Sequence, residues 1–167
     1  MQSVTVDRAA LSGHDSPGLP ASDPAAYNAW LQKAQLEAVE QVRVSAERTG
    51  EGHLRDVELS VTPEFAIEPN RVLIRYDALA LLSGTDGATL GSAGTVVALA
   101  FSYDGPTPTP DIVARFALTT GMLVAHPYVR EAVQALAARV GFPQATLPLM
   151  PIPGPPTAPK MLPEPSS

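Results

Sequence analysis

The sequence predicts an α+β fold: a four-stranded antiparallel sheet packed by a long broken C-terminal helix, with one extra helix ahead of the sheet. Three observations predict it. Apolar and polar residues alternate in short runs between residues 39 and 103, turn residues separate those runs, and apolar residues recur at helical spacing over 24–38 and 110–140. With 167 residues and 45% apolar side chains, the chain can bury one core and still carry tails. Aromatic residues make up only 5%, so that core is built mainly from Ala, Val and Leu.

The elements follow in order. Residues 1–22 are rich in Ser, Gly, Pro and Asp with no sustained period, and read as a disordered arm. Asp23 and Pro24 form a helix start, because the carboxylate accepts orphan backbone N–H groups and proline suits the first turn. Tyr27, Trp30, Leu31, Ala34 and Ala38 then recur as a helix stripe over 24–38. Val42, Val44 and Ala46 alternate with Arg43, Ser45 and Glu47, which reads as a short strand in 39–48, with helix continuation as the competitor. Val57, Leu59, Val61, Phe65 and Ile67 mark the next strand, and Pro63 within it points to a bulge or an edge position. After a turn at Glu68, Pro69 and Asn70, the run 71–82 places Val72, Ile74, Tyr76, Ala78 and Ala80 on one face. Its other face, ending in Leu79 and Leu81, is apolar enough to predict cover on both sides in the second half. A glycine-rich hairpin loop spans 83–95, and the last strand, 95–103, carries Val97, Leu99, Phe101 and Tyr103 on one face. Tight turns between these strands predict an antiparallel meander.

Thr109, Pro110 and Asp111 then open a second helix. Ile112, Val113, Phe116, Thr120, Leu123 and Val124 trace one face; Gly121 and Pro127 predict a kink or break; and Val129, Val133, Leu136 and Val140 resume the stripe. Gly141 suits a left-handed cap and Pro143 forbids continuation. About half of the 18 prolines follow, so 151–167 reads as a disordered tail. The organisation is therefore an arm at 1–22, a folded domain at 23–150 and a tail at 151–167.

Composition narrows the function. There is no cysteine, which removes disulfides, thiolate nucleophiles and cysteine-ligated zinc, and the three histidines are scattered at His14, His53 and His126. The charge of −6 with no Lys/Arg cluster lacks the footprint of a nucleic-acid binder. No run approaches about 20 apolar residues, and residues 1–10 lack the order of a secretory signal, so membrane insertion is not expected and a cytoplasmic location is. Gly84, Gly87, Gly91 and Gly94 have no lysine among them and lie between strands, which reads as a hairpin and not as a phosphate loop. His14, Asp15 and Ser16 sit in the arm, where a catalytic geometry could not be held. Glu58, Glu64, Glu68 and Asp77 read as surface carboxylates. No catalytic residue, cofactor or metal ligand is assigned.

The stretch 126–150, HPYVREAVQALAARVGFPQATLPLM, carries Pro127, Tyr128, Arg130, Glu131, Arg139, Phe142, Pro143, Gln144 and Leu147 at fixed spacing. It resembles the C-terminal signature of the SecB family of protein-export chaperones, and the order of strands before it extends the similarity over 39–150. The resemblance implies a non-enzymatic holding chaperone for unfolded polypeptides, assembled as a homotetramer from two dimers. Its clients would be unfolded preproteins on their way to the SecA motor ATPase or, in the branch that serves toxin–antitoxin systems, an antitoxin. Three departures stand out: a weak strand at 39–53, an amphipathic helix at 24–38, and a proline tail in place of the second C-terminal helix.

A holdase reads backbone and generic apolar groups. On that basis the client groove is assigned to Val97, Leu99, Phe101 and Tyr103 of the last strand and to Phe142, Leu147, Leu149 and Met150 after the helix, against the alternative that these fill the core. Tyr128, Arg130 and Glu131 read as packing or intersubunit residues. A competing reading is a non-chaperone interaction module that uses the proline pairs of 148–159, and a third is a small-ligand-binding domain.

Overall fold

A computed structural model of the chain describes residues 23–147, Leu149 and 160–161; the arm at 1–22, Pro148, Met150 and the remaining tail residues lie outside the described residues. The fold is a sheet with helices on one face. Helix α1 (Pro24–Leu31) leads into β1 (Ala34–Arg48), β2 (Leu54–Glu68), β3 (Arg71–Gly84) and β4 (Thr89–Tyr103). Helix α2 (Pro110–Phe116), a π-helical segment (Ala117–Gly121) and α3 (Met122–Arg139) follow without interruption, and a two-residue strand β5 (Lys160–Met161) comes last.

Helix α1 starts as predicted, with Asp23 Oδ1 accepting the Ala25 amide at 3.0 Å. It ends at Leu31, short of the predicted 38, and β1 begins at Ala34. Residues four apart share a face in both a helix and a strand, so Ala34 and Ala38 did not discriminate between the two periods. Pairing decides the matter: Ala34 lies opposite Tyr103, and antiparallel partners continue to Arg48 opposite Gly91. The first strand is thus long and regular apart from extra residues at Glu37 and Val42, where the register shifts.

The sheet order is β1-β4-β3-β2-β5. Only β2, β3 and β4 form the predicted meander; β1 pairs on the far side of β4, and 49–53 carry the chain past the ends of β4 and β3 to reach β2. Three strand spacings of about 4.8 Å are within reach of so short a link. Pro63 lies in an unbroken β2 opposite Tyr76, with no bulge, at the edge of the four long strands. The hairpin between β2 and β3 closes with Glu68 opposite Arg71, and Asn70 takes the positive φ of 60° that the tight turn requires.

The predicted glycine loop is mostly strand: the turn occupies only 85–88, and Gly91 and Gly94 lie inside β4. A Cβ on Gly91 would stand 2.5 Å from the Glu47 carbonyl oxygen, so a side chain there would push β1 away. Glycine at this position reflects close backbone approach and not flexibility.

On the helix side of the sheet, Val72, Ile74, Tyr76, Ala78, Ala80 and Leu82 of β3 and Val97, Leu99, Phe101 and Tyr103 of β4 are buried. Phe116 stands edge-on to both Trp30 and Phe101, with ring centroids 4.9 Å apart in each case. Such pairs contribute about 0.5–1.5 kcal/mol beyond burial, and these two pin α1 and α2 to β4. The Tyr27 hydroxyl bonds Thr119 Oγ1 at 3.0 Å, and the Arg115 guanidinium lies 4.6 Å over the Tyr27 ring, which completes the seat of α1.

The helix is continuous through Pro127. The carbonyl that proline leaves without its usual donor belongs to Leu123, and both residues face solvent, where water can satisfy it. The departure from α geometry comes earlier, in the π-helical segment. There Tyr76 of β3 reaches up and donates its hydroxyl to the Ala117 carbonyl at 2.8 Å, and a Cβ on Gly121 would overlap that hydroxyl. Thr109 occupies the N-cap position of α2 without a side-chain cap bond.

The span Pro110–Arg139 is long and apolar enough to cross a membrane by length and composition, which the sequence reading did not anticipate. Half of its most apolar window is buried inside the fold, as in the core helix of a sheet-and-helix domain. At its end, Gly141 (φ 96°) donates to the Ala138 carbonyl and Phe142 to the Ala137 carbonyl, the two bonds of a left-handed glycine stop.

Candidate functional site

Six of the eight residues assigned to a client groove lie elsewhere than predicted. Val97, Leu99, Phe101 and Tyr103 sit beneath the helices, Phe142 and Leu147 pack into the same core, and each is at most 4% exposed. The reason is topological: β4 is a central strand, covered by helices on the face that carries these four side chains. Leu149 is 76% exposed, and Met150 lies outside the described residues. The segment after the helix is held back along α3 by Arg130 Nε, which donates to the Leu147 carbonyl at 3.0 Å, and by the Arg48 guanidinium 5.0 Å over the Phe142 ring. Arg130 therefore packs within the subunit, while Tyr128 and Glu131 face solvent.

Apolar surface beside an open strand edge lies at the two margins of the sheet. At one, the helix layer covers β2 only in part, burying Pro63 and Phe65 and leaving their neighbours on that face less covered. Val57, Leu59, Val61 and Ile67 of β2 lie opposite Leu82, Ala80, Ala78 and Val72 of β3 on the same face. The β3 partners are fully buried, whereas the β2 residues are only half-buried. Val57, Leu59 and Val61 thus form an apolar shelf about 13 Å long at the strand rise. Beside the shelf runs the outer edge of β2, whose backbone is paired, among the described residues, at Glu64 and Phe65 alone, opposite Lys160 and Met161 of β5 in parallel orientation. A shelf next to an unpaired strand edge can accept an extended peptide: the edge supplies main-chain hydrogen bonds and the shelf receives alternate side chains.

At the other margin, β1 has no neighbour beyond it among the described residues, and Leu36, Val42 and Val44 on it are exposed. The signals for both margins were present in the alternation of β1 and β2, but which strands end up outermost is decided by pairing that alternation does not encode.

The face away from the helices is polar. Arg43 of β1 pairs with Asp77 of β3 at 3.0 Å, across β4 and over the buried Val96, and Arg71 pairs with Glu37 at 3.4 Å. Both pairs are well exposed, so each contributes at most about 1 kcal/mol. Glu58, Glu64 and Glu68 of β2 line the same face. Leu79 and Leu81, at 42% and 40% exposure, share it uncovered, which corrects the expectation of two-sided burial for the end of β3. Among the described residues no three His, Asp or Glu side chains gather as a metal site. Burial drives the Tyr76 phenol far above its ordinary pKa, so it is a neutral hydrogen-bond donor at any physiological pH. His126 is buried within α3.

No protein-family model matches the sequence, and no curated protein matches it. Among solved structures, the fold matches the SecB-like chaperone Rv1957 of Mycobacterium tuberculosis, solved in complex with a ChAD peptide from the antitoxin HigA1. The TM-score is 0.69 at 23% sequence identity, over 77% of this chain and 99% of that one. The chain therefore has the SecB-like fold, with its four-stranded antiparallel sheet, long C-terminal helix and added N-terminal helix.

Proposed function

We propose that the protein is a holding chaperone that binds unfolded or intrinsically extended polypeptide along the β2 edge and its apolar shelf, without catalysis. The observation that carries this reading is the half-buried row Val57, Leu59 and Val61 beside a strand edge that the described residues pair at Glu64 and Phe65 alone. The shared fold supports it, since the matching chaperone was solved with a peptide from an antitoxin. That peptide also supports an antitoxin as client, beside unfolded preproteins bound for export. In the export reading, handover to the SecA motor would fall on the carboxylates Glu58, Glu64 and Glu68 of the polar sheet face. The proposed location is the cytoplasm.

Magnitudes argue for several such sites acting together. Full burial of one Leu-sized side chain contributes about 1.5–3 kcal/mol, and a half-buried one has only part of that left to give. Micromolar affinity needs about 8 kcal/mol beyond the cost of ordering the client. A homotetramer built from two dimers repeats the shelf, and a long client that reaches several shelves gains by effective concentration. The free β1 edge with Leu36, Val42 and Val44 is the proposed contact between copies, because a strand edge paired with itself is two-fold and closes. In this reading Val97, Leu99, Phe101, Tyr103, Phe142 and Leu147 support the shelf from within, and Leu149 extends the surface beyond Leu147.

The test is light scattering from a guanidine-denatured enzyme diluted into buffer. An equimolar amount of the protein should suppress aggregation by at least half, and Leu59→Asp should weaken that suppression while leaving the circular dichroism spectrum unchanged. A strictly monomeric protein that leaves aggregation untouched would remove the chaperone reading.

A further inference from the structure

We propose that the C-terminal segment around Lys160–Met161 is a tethered competitor for the client edge. It is a built-in strand that occupies β2 until a polypeptide displaces it. The inference rests on the chaperone reading and adds a regulatory element to the same site.

The geometry comes from the last strand of the chain. After α3 and the segment ending at Leu147, the polypeptide returns so that β5 pairs in parallel with the outer edge of β2, Lys160 opposite Glu64 and Met161 opposite Phe65. Those N–H and C=O groups are part of what an added client strand would use, and two strands cannot occupy one edge at the same place. Occupancy by β5 and by a client passing Glu64 and Phe65 is therefore mutually exclusive.

The sequence keeps this pairing short. Pro159 and Pro163 bracket Lys160, Met161 and Leu162, so only three successive residues have amide protons to offer a ladder. Five of the nine residues in 151–159 are proline, and the 11 steps from Leu149 to Lys160 span at most about 40 Å when extended. A short strand on such a tether docks through an effective concentration in the millimolar range and not through tight pairing. That combination suits a plug: it covers the edge when no client is present and yields to a longer extended chain.

The test compares three full-domain proteins: the natural chain, a chain with Lys160→Pro and Met161→Pro, and a chain ending at Met150, which retains every element from α1 to α3. The probe is fluorescein-labelled, reduced and carboxymethylated α-lactalbumin, a permanently unfolded polypeptide, and binding is read by anisotropy. Both altered chains should bind it roughly three- to tenfold more tightly than the natural one. A synthetic peptide of residues 156–167 added to the shortened chain should weaken binding again at about millimolar concentration. Equal affinities within twofold for all three would overturn the competitor and leave the chaperone reading standing. Absence of binding by any of the three would remove the chaperone reading and the competitor with it. Tightening seen only at protein concentrations where chains associate would assign the edge to a neighbouring copy's tail and overturn the tethered form.

Discussion

Replacing Gly121 by alanine should destabilise the protein, and the cost should depend on Tyr76. The new Cβ would overlap the Tyr76 hydroxyl and stand 3.2 Å from the Phe116 carbonyl oxygen and 3.5 Å from the Ile74 side chain. Tyr76 cannot retreat without giving up its 2.8 Å bond to the Ala117 carbonyl. Overpacking costs about 1–3 kcal/mol and the orphaned buried Tyr76 hydroxyl about 1–3 more, while alanine in place of a helical glycine returns about 1. Gly121→Ala should therefore cost about 1–5 kcal/mol by this sum. Tyr76→Phe alone removes that hydrogen bond at about 0.5–1.5 kcal/mol. With the hydroxyl gone, only the Phe116 carbonyl still crowds the alanine, so the double variant should be scarcely less stable than Tyr76→Phe. The assay is urea unfolding followed through the emission of the sole tryptophan, Trp30, which is 6% exposed and packed against Phe116. Single costs that add within about 0.5 kcal/mol in the double variant would refute the account of the π-helical segment as the socket for Tyr76.

Two further outcomes follow from the same structure. Because burial raises the Tyr76 pKa above its unfolded value of about 10, the folded state keeps a proton that the unfolded state loses. Stability should thus be fully present below about pH 10 and fall by about 1.4 kcal/mol per pH unit above it. Thermal melts of the natural chain and of Tyr76→Phe should show that this alkaline slope is steeper in the natural chain. At the β1 margin, Leu36→Glu combined with Val44→Glu should reduce the mass in light scattering to that of a smaller species. Leu81→Glu, on the opposite face of the sheet, should leave the mass unchanged.

The fold was legible wherever apolar spacing discriminated between periods. The strands around Val72 to Leu82 and Val97 to Tyr103, the Asp23 cap and the Gly141 stop all follow from local chemistry and stand in the structure. Local chemistry was silent where pairing decides. The boundary between α1 and β1 fell on alanines that suit either element, and Gly91 resembled a loop glycine because its reason, the Glu47 carbonyl across the strand gap, lies 44 positions earlier in the chain. The groove residues assigned on β4 proved to be core for the same reason. Val97 to Tyr103 and Val57 to Val61 alternate alike, and only strand order makes the first row core and the second row margin. The β5 pairing had no signal beyond the two prolines that bracket it.

The bond from Arg130 to the Leu147 carbonyl and the glycine stop before it bear on what a sequence signature reports. Among the most recognisable residues of this chain, Arg130, Phe142 and Leu147 end one long helix and fold the polypeptide back against it. They identify an architecture. The residues that would meet a guest, on β2, carry no such fingerprint and obey only a demand for grease at every second position. Chains that share this reversal can therefore vary the apolar row on β2 without altering the mark by which they are known.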